Sequence, residues 1–541
     1  MELIKSDGFS FSYTLGGHKI LDNVSFSVNE GELILLCGAT ACGKTTLLKS
    51  MKPELAPNGI RSGCLFFDGM DISSVPSKQS ASEIGYVMQR PENQTVTDRV
   101  RSELAFGCES LGLPQNEIHR RIAEISVFFS LSDILDAELS TLSGGQLQLL
   151  NLASAVAMYP KLLLLDEPTA QLDPIASGEF IRTLYRLTRE LSITVIIAEH
   201  RFSELLSVAD RVLFLENGKV GAFDFPKAAV KKMCMSPSLG SSMPCGLQIW
   251  NNCAEQTGNI SPPLRLSESR NMLRTSFGLE GKSIAETPGI RSDETALRLN
   301  NVCFAYSGKG RDIISHADLE VKKGECFAVL GGNGSGKSTL LSVISGIVKP
   351  YCGKIEIFGR SLKKSTDNVG ILPQDVRCLF LGDTVGEVLD GADFSDIYDF
   401  SELTDMHPFD LSGGQAQLLG LAVLLSRNKQ IILLDEPTKG LDGFFRSRVT
   451  EIIKSLIGNG TTVIIVTHDT ELAAECADRC GIFFDGSVMS VMTPRELFAE
   501  GIFYTTEAAK MSRGICSGAV TAAQLSELCR RNPIVGGRGN V

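Results

Sequence analysis

The chain repeats itself, and the repeat limits what it can fold into. Lys44 and Lys337 stand 293 residues apart, and the same interval relates Phe11 to Phe304, Tyr13 to Tyr306, Gly31 to Gly324 and Glu32 to Glu325. Five landmarks at one interval mark a duplication. Further on the interval becomes 269, relating Leu142-Ser143-Gly144-Gly145-Gln146 to Leu411-Ser412-Gly413-Gly414-Gln415, Asp166-Glu167-Pro168-Thr169 to Asp435-Glu436-Pro437-Thr438, and Leu172-Asp173 to Leu441-Asp442. The second copy has therefore lost a net 24 residues upstream of its LSGGQ, in a stretch that is helix-rich in the first copy, about residues 97–139. At 541 residues the chain is longer than one core usually holds, so two or more domains are expected.

Within each copy, short continuous apolar runs alternate with helical patterns. The runs lie at 33–37, 162–165, 194–198 and 212–215, and again at 326–330, 431–434, 462–466 and 481–484. Such runs predict buried strands of an α/β domain with a parallel core. Residues 1–225 form the first predicted domain and 296–495 the second. Between them, 226–295 is rich in Met, Ser, Pro, Gly and Asn and reads as a mostly irregular linker, with the only tryptophan, Trp250, as an anchor onto a neighbouring surface. Residues 496–541 read as a C-terminal extension with short helices and a disordered end at 536–541.

The chemistry begins at the duplicated lysines. Gly331-Gly332-Asn333-Gly334-Ser335-Gly336-Lys337-Ser338-Thr339 fits G-x-x-x-x-G-K-[ST], between a predicted strand and a predicted helix; Gly38-Ala39-Thr40-Ala41-Cys42-Gly43-Lys44-Thr45, followed by Thr46, fits it again. Glycines let successive backbone N–H groups converge on phosphate oxygens, and the following helix adds the positive end of its dipole. Lys44 and Lys337 would reach the outer phosphates, and the hydroxyls of Thr45 and Ser338 would hold Mg²⁺. A plain Gly-rich turn rarely fills all these positions.

Four apolar residues run into Asp166-Glu167 and into Asp435-Glu436. A buried strand would thus deliver Asp166 or Asp435 beside a phosphate loop to support Mg²⁺, and Glu167 or Glu436 to polarise an attacking water. The next strands end at His200 and His468, either of which could donate to the γ-phosphate or the water; alone, each would pass for a solvated histidine, but the recurrence favours function. Gln89 and Gln374 follow strand-like runs and could touch Mg²⁺. Tyr13 and Tyr306, each 31 residues before the loop lysine, could stack on adenine. In LSGGQ, Ser143, Gly144, Gly145 and Gln146, and likewise Ser412, Gly413, Gly414 and Gln415, open a helical run and offer a second anion cradle. One ATP cannot easily use two helix N-termini of the same fold, whereas two copies facing head to tail could share them.

Phosphate loop, Gln loop, LSGGQ, DEPT, Leu-Asp and histidine in this order, twice, resemble the ATP-binding-cassette (ABC) ATPases across both copies. The resemblance implies two P-loop ABC ATPase domains, each with a RecA-like parallel core, a β subdomain and a helical subdomain, that hydrolyse ATP with Mg²⁺ at two composite sites. The Lys44 loop would work with Ser412 to Gln415, the Lys337 loop with Ser143 to Gln146, and Asp173 and Asp442 would line the seam. Gln89-Arg90-Pro91-Glu92-Asn93-Gln94 and the Phe503-Tyr504-Thr505-Thr506 tail are similar to energy-coupling-factor (ECF) transporter ATPases, which energise uptake of vitamins and of cobalt or nickel ions. That likeness implies a transmembrane coupling protein and a small substrate-binding membrane subunit as partners, and a peripheral place on the cytoplasmic face of the membrane. Three departures stand out. The first loop has Ala41 and Cys42 where the second has Gly334 and Ser335, and Ala41 would be strained if its position needs positive φ. Both copies read Gln-x-Gln-Leu-Leu after LSGGQ, where many members carry an arginine. Only the first copy has Pro-Glu-Asn-Gln after its Gln-loop glutamine.

The totals narrow the class further. Apolar residues make up 43% and charged residues 21%, the net charge is −11 without an overall basic excess, and this argues against nucleic acid as a partner. No run of eighteen apolar residues predicts a membrane span, and Met1 to Asp7 has no signal-peptide-like apolar stretch. The fifteen cysteines form no CxxC pair and read mostly as small buried apolar residues. A soluble two-cassette translation factor acting on ribosomes is the alternative; it would favour a Lys- and Arg-rich helical segment between the cassettes.

Overall fold

A short run with no polar residue in its interior has no face to give to water, so it suits a strand covered on both sides. The computed structural model, which describes residues 1–14, 17–200, 202–236, 239–258, 260–284, 292–307, 310–502 and 504–534, builds such strands. Leu33–Cys37, Leu162–Asp166 and Thr194–Ala198 are buried at every residue, as are Cys326–Leu330, Ile431–Asp435 and Thr462–Thr467. The chain divides into two units, Met1–Pro244 and Cys245–Val541.

Both units have one topology. In the first, a six-stranded sheet runs in the order Lys219–Asp224, Arg211–Glu216, Leu33–Cys37, Thr194–Ala198, Leu162–Asp166, Ile84–Val87. In the second the order is Ser487–Met492, Arg479–Phe484, Cys326–Leu330, Thr462–Thr467, Ile431–Asp435, Val369–Leu372. The pairs are parallel except the outermost hairpin, which is antiparallel. Each unit adds a four-stranded antiparallel sheet, and the fold is α/β in both. Parallel register brings the ends of the central strands to one edge: Asp166 pairs with Ala198, and Leu36 with Ala198 on the other side.

The trimmed stretch is visible as lost helix. The first unit has helices Val100–Ser110 and Gln115–Phe128 before the LSGGQ helix Gly144–Val156. The second has only Val385–Leu389 and short 3₁₀ turns before Gly413–Leu425.

Residues 226–295 correct the expectation of a mostly irregular linker. Pro226–Met233 is a helix of the first unit, with Met233 Sδ 3.9 Å from Cys37 Sγ. Helices Cys245–Asn252, Ala254–Thr257 and Leu266–Ser276 belong to the second unit. They share a core with the C-terminal helices Glu507–Ser512 and Ala522–Arg531: Cys245, Ile249, Cys253, Met272, Leu273 and Phe277 bury against Ala508, Met511, Leu525 and Cys529. The helical spacing of Cys245, Ile249 and Cys253 was hidden by the surrounding Ser, Pro and Met. Trp250 packs against this core, and its indole N–H donates to Ile260 O at 2.9 Å. The stretch 285–291, the residue Phe503 and the tail expected to be disordered lie outside the described residues. Leu273 is fully buried, so Leu273→Ala is expected to destabilise the second unit by roughly 2–5 kcal/mol. Urea melts read this directly; an unchanged midpoint would mean these helices carry no shared core. Among the described residues, no helix is long and apolar enough to cross a membrane.

Candidate functional site

The phosphate loops leave the ends of strands Leu33–Cys37 and Cys326–Leu330 and enter helices Lys44–Ser50 and Lys337–Ile344. Each helix is capped by glycine, Gly43 at φ 102° and Gly336 at φ 107°, with no side-chain cap and no acid in its first turn. A Cβ on Gly43 would meet Leu21 Cδ2 at 2.7 Å and Ile20 O at 3.0 Å, so only glycine fits this turn. Ala41 sits at φ 61° where Gly334 sits at φ 75°, so the anticipated strain is present in the first loop. Such a left-handed alanine costs about 1–2 kcal/mol. Both lysines are buried and turn onto loop carbonyls. Lys44 Nζ donates to Gly38 O at 2.9 Å and Ala39 O at 3.0 Å; Lys337 Nζ donates to Gly331 O at 2.9 Å and Gly332 O at 2.8 Å. Thr46 and Thr339 are buried, and their hydroxyls lie 3.1 and 3.3 Å from those of Tyr13 and Tyr306. The two tyrosines stay more than half exposed, edge-on to Phe11 and Phe304, and leave a ring face for a flat ligand.

The acids arrive as expected at the ends of their strands. Thr45 Oγ1 donates to Asp166 Oδ1 at 2.9 Å and Tyr86 OH to Asp166 Oδ2 at 3.2 Å. Burial, then the neighbouring Glu167, raise the Asp166 pKa against those two hydrogen bonds. Asp435 is likewise raised by burial, with the Ser338 hydroxyl pulling the other way. Glu167 and Glu436 occupy left-handed backbone, φ 48° and 49°, held by hydrogen bonds from their N–H groups to Ala198 O and Val466 O. Strain repeated at both acids marks positions where geometry outweighs backbone comfort.

Around the two glutamates the units differ. His200 Nε2 lies 2.7 Å from Glu167 Oε1, and Gln89 Nε2 donates to Glu167 Oε2 at 2.9 Å. Gln89 thus meets the glutamate rather than the aspartate. In the second unit His468 Nδ1 lies 2.9 Å from Glu436 Oε2, Lys337 Nζ lies 4.0 Å from Oε1, and Gln374 is exposed. Burial opposes ionisation of Glu436, yet His468 and Lys337 outweigh it and the pKa is lowered. Glu436 is therefore held as a carboxylate. Asp435 Oδ1, Glu436 Oε1 and Ser335 Oγ are buried without a hydrogen-bond partner among the described residues. Buried acceptors left open beside a cationic lysine and a helix N-terminus fit a triphosphate with a divalent cation.

The LSGGQ helices begin at Gly144 and Gly413, with Ser143 and Ser412 as N-caps in full capping boxes with Gln146 and Gln415. Gly144 and Gly413 have open space where a Cβ would stand, whereas Gly414 is covered by the Phe445 ring. Asp173 and Asp442 cap the helices that follow them, Asp173 Oδ1 accepting from Ala176 N and Asp442 Oδ1 from Phe445 N, both at 2.9 Å.

Four residues escaped the sequence reading. Two of them follow LSGGQ in the first unit: Gln148 Nε2 donates to Met88 O at 3.1 Å and Asn151 Nδ2 to Pro91 O at 3.0 Å, tying the LSGGQ helix to the Gln loop. In the second unit Thr467 Oγ1 donates to Glu436 Oε2 at 3.1 Å. At the equivalent position the first unit has Glu199, which accepts from Thr169 N at 2.8 Å and Thr169 Oγ1 at 2.6 Å. Only the place of Thr467 and Glu199 directly before the recurring histidines could have singled them out.

Burial pushes the Glu199 carboxyl up from 4.5 to about 7. The folded state then holds a proton that the unfolded chain releases, so stability falls as pH rises from about 4.5 through 7. Glu199→Gln is expected to remove this slope, which amounts to roughly 3 kcal/mol at most. Denaturant melts of both chains at pH 5 and pH 8 give the difference; identical slopes would mean Glu199 is ionised in the fold.

Residues 21–170 and 314–439 match the profile of the ABC transporter family. A Bacillus anthracis protein named as an ABC transporter ATP-binding protein is 38% identical over 97% of this chain and 98% of its own length. The Bacillus subtilis protein YkoD, named for HMP/thiamine import, is 30% identical over 92% of this chain and 93% of its own. Among solved structures, an archaeal ribosome recycling factor, aABCE1, in complex with the ribosomal stalk protein aP1 is similar in fold, with a TM-score of 0.58 and 23% identity over 90% of each chain.

Proposed function

Because this chain belongs to the ABC transporter family and is a two-cassette ATPase that uses ATP with Mg²⁺, we propose that it energises an importer of the ECF type for a vitamin or transition-metal ion. Its partners on this reading are a transmembrane coupling protein and a small substrate-binding membrane subunit, with the chain peripheral on the cytoplasmic face. The observation that carries the reading is the Gln89-to-Gln94 loop of the first unit. Gln94 closes it, accepting from Met88 N at 2.8 Å and donating to Tyr86 O at 3.0 Å, while Gln148 and Asn151 hold its backbone to the LSGGQ helix. Gln89 at its start bonds Glu167. The loop is thus a stiff element with one end on the hydrolytic acid, and exposed Val96 follows two residues after its other end. The likeness to a protein named for HMP/thiamine import supports a vitamin as cargo.

In the proposed mechanism Lys337 would give up the carbonyls of Gly331 and Gly332 for the outer phosphates, and Ser338 and Asp435 would hold the cation. Mg²⁺, when bound, neutralises charge on the phosphoryl group being transferred. Glu436, kept ionised by His468 and Lys337, orients the attacking water and takes its proton, while Thr467 fixes the carboxylate. The Lys44 loop is read in the same way with Thr45, Asp166, Glu167 and His200.

Affinity purification of the chain after gentle detergent extraction tests this reading. Two hydrophobic membrane proteins should accompany it; ribosomes without such partners would sink the importer reading in favour of a translation factor.

A further inference from the structure

We infer that Tyr504, in the C-terminal extension, is a positioning residue for the second phosphate loop and links the accessory helical core to ATP binding there. A Cβ built on Gly332 would lie 3.9 Å from the Tyr504 hydroxyl oxygen, so this side chain stands over the loop. Gly332 supplies one of the two carbonyls that hold Lys337 Nζ, at 2.8 Å. A group that fixes the Gly332 peptide therefore fixes where the lysine rests and how the next N–H groups point.

The segment that carries Tyr504 is itself held fast. Thr505 and Thr506 are buried, and Thr505 Oγ1 donates to Phe498 O at 2.5 Å. Thr470 Oγ1 donates to Thr505 O at 3.4 Å, and Glu507 N donates to Glu471 Oε1 at 2.7 Å. Thr470 and Glu471 open the helix Thr470–Cys476, directly after His468 and Asp469. The same segment is tied to the accessory core: Glu507 Oε2 accepts from Cys245 N at 2.7 Å, and the Arg270 guanidinium donates to Lys510 O at 2.8 Å and Arg513 O at 2.7 Å. Residues 504–507 thus run from the phosphate loop to the start of the helix after His468, braced by helices drawn from both ends of the second unit. Movement of that core reaches the loop through Tyr504.

The inference rests on the reading that the Lys337 loop holds the ATP phosphates. It is tested in the full chain carrying Lys44→Ala, so that a fluorescent N-methylanthraniloyl ATP with Mg²⁺ reports on the second loop. Tyr504→Phe is expected to weaken binding about fivefold, the size of one neutral hydroxyl contact, with the thermal midpoint unchanged. In a Lys337→Ala chain, where the probe reports on the first loop, Tyr504→Phe should change nothing. Unaltered affinity at the second loop overturns the role of Tyr504. An equal loss in both backgrounds, or a lowered midpoint, overturns it as well, since the effect would then be one of fold. If adding Lys337→Ala to the Lys44→Ala chain leaves probe binding intact, the phosphate-loop reading itself fails.

Discussion

Glu436→Gln should cut ATP turnover by roughly 10²-fold or more while ATP still binds, as loss of a water-activating carboxylate does. Glutamine keeps the size of the side chain and an oxygen for Thr467 Oγ1 and His468 N, which donate to Glu436 Oε2 at 3.1 and 3.3 Å. What it removes is the negative charge that His468 and Lys337 preserve against burial. An amide cannot take a proton from water, so the chemical step fails and nucleotide affinity does not. Phosphate release and nucleotide titration on the same preparation separate the two. Near-normal turnover would move the engine to the first unit, where Glu167 is held by Gln89 and His200 instead.

What the sequence made legible was local or repeated. A phosphate loop, an Asp-Glu after four apolar residues and an LSGGQ each carry their geometry within a few residues, and the duplication supplied a second witness for every one. The α/β fold followed because short, nearly continuous apolar runs leave few alternatives. Two things were not legible, for one physical reason: they depend on partners far along the chain. The accessory core joins residues 240 to 262 positions apart, as in Arg270 with Lys510 and Cys245 with Glu507, and composition alone cast its first half as linker. The strained backbone of Glu167 and Glu436 depends on the neighbouring strand, whose carbonyls at Ala198 and Val466 accept their N–H groups. Without that strand nothing in Asp-Glu-Pro-Thr asks for positive φ.

The two units are alike in topology and unlike in how their glutamates are held, which gives their shared motifs different work. In the first, Gln89 ties the acid to a loop stiffened by Gln94, Gln148 and Asn151; in the second, Thr467 and Lys337 surround the acid. The first arrangement links its acid to a stiffened loop, and the second keeps its acid ionised against burial. The loss of helix in the second unit, where Val385–Leu389 stands in for two long helices, removes surface from the unit whose glutamate is held, among the described residues, without a Gln-loop bond like that of Gln89.

The phosphate loops themselves make the sharpest mutational contrast. Gly336→Ala is expected to lower ATP affinity at the second loop by roughly 30-fold or more, whereas Gly334→Ala should stay within a few-fold. At Gly336 the backbone has φ +107°, and an added Cβ would lie 2.7 Å from Ile313 Cγ2 and 3.1 Å from Ile313 O. The isoleucine methyl could swing aside, but the carbonyl is main chain and cannot move without shifting the loop. Conformational strain and overpacking together cost roughly 2–5 kcal/mol, and the helix N-terminus would move to relieve it. At Gly334, φ is +75° and no atom lies within 4 Å of a would-be Cβ. Only the left-handed backbone opposes alanine there, at about 1–2 kcal/mol, and the first loop already bears that load with Ala41 at φ 61°. Nucleotide titration of the two variants in a Lys44→Ala chain reads the contrast. Equal losses would mean that the loop needs glycine at 334 for close approach of phosphate to its backbone, and that Ala41 sets the first loop apart as a weaker nucleotide site.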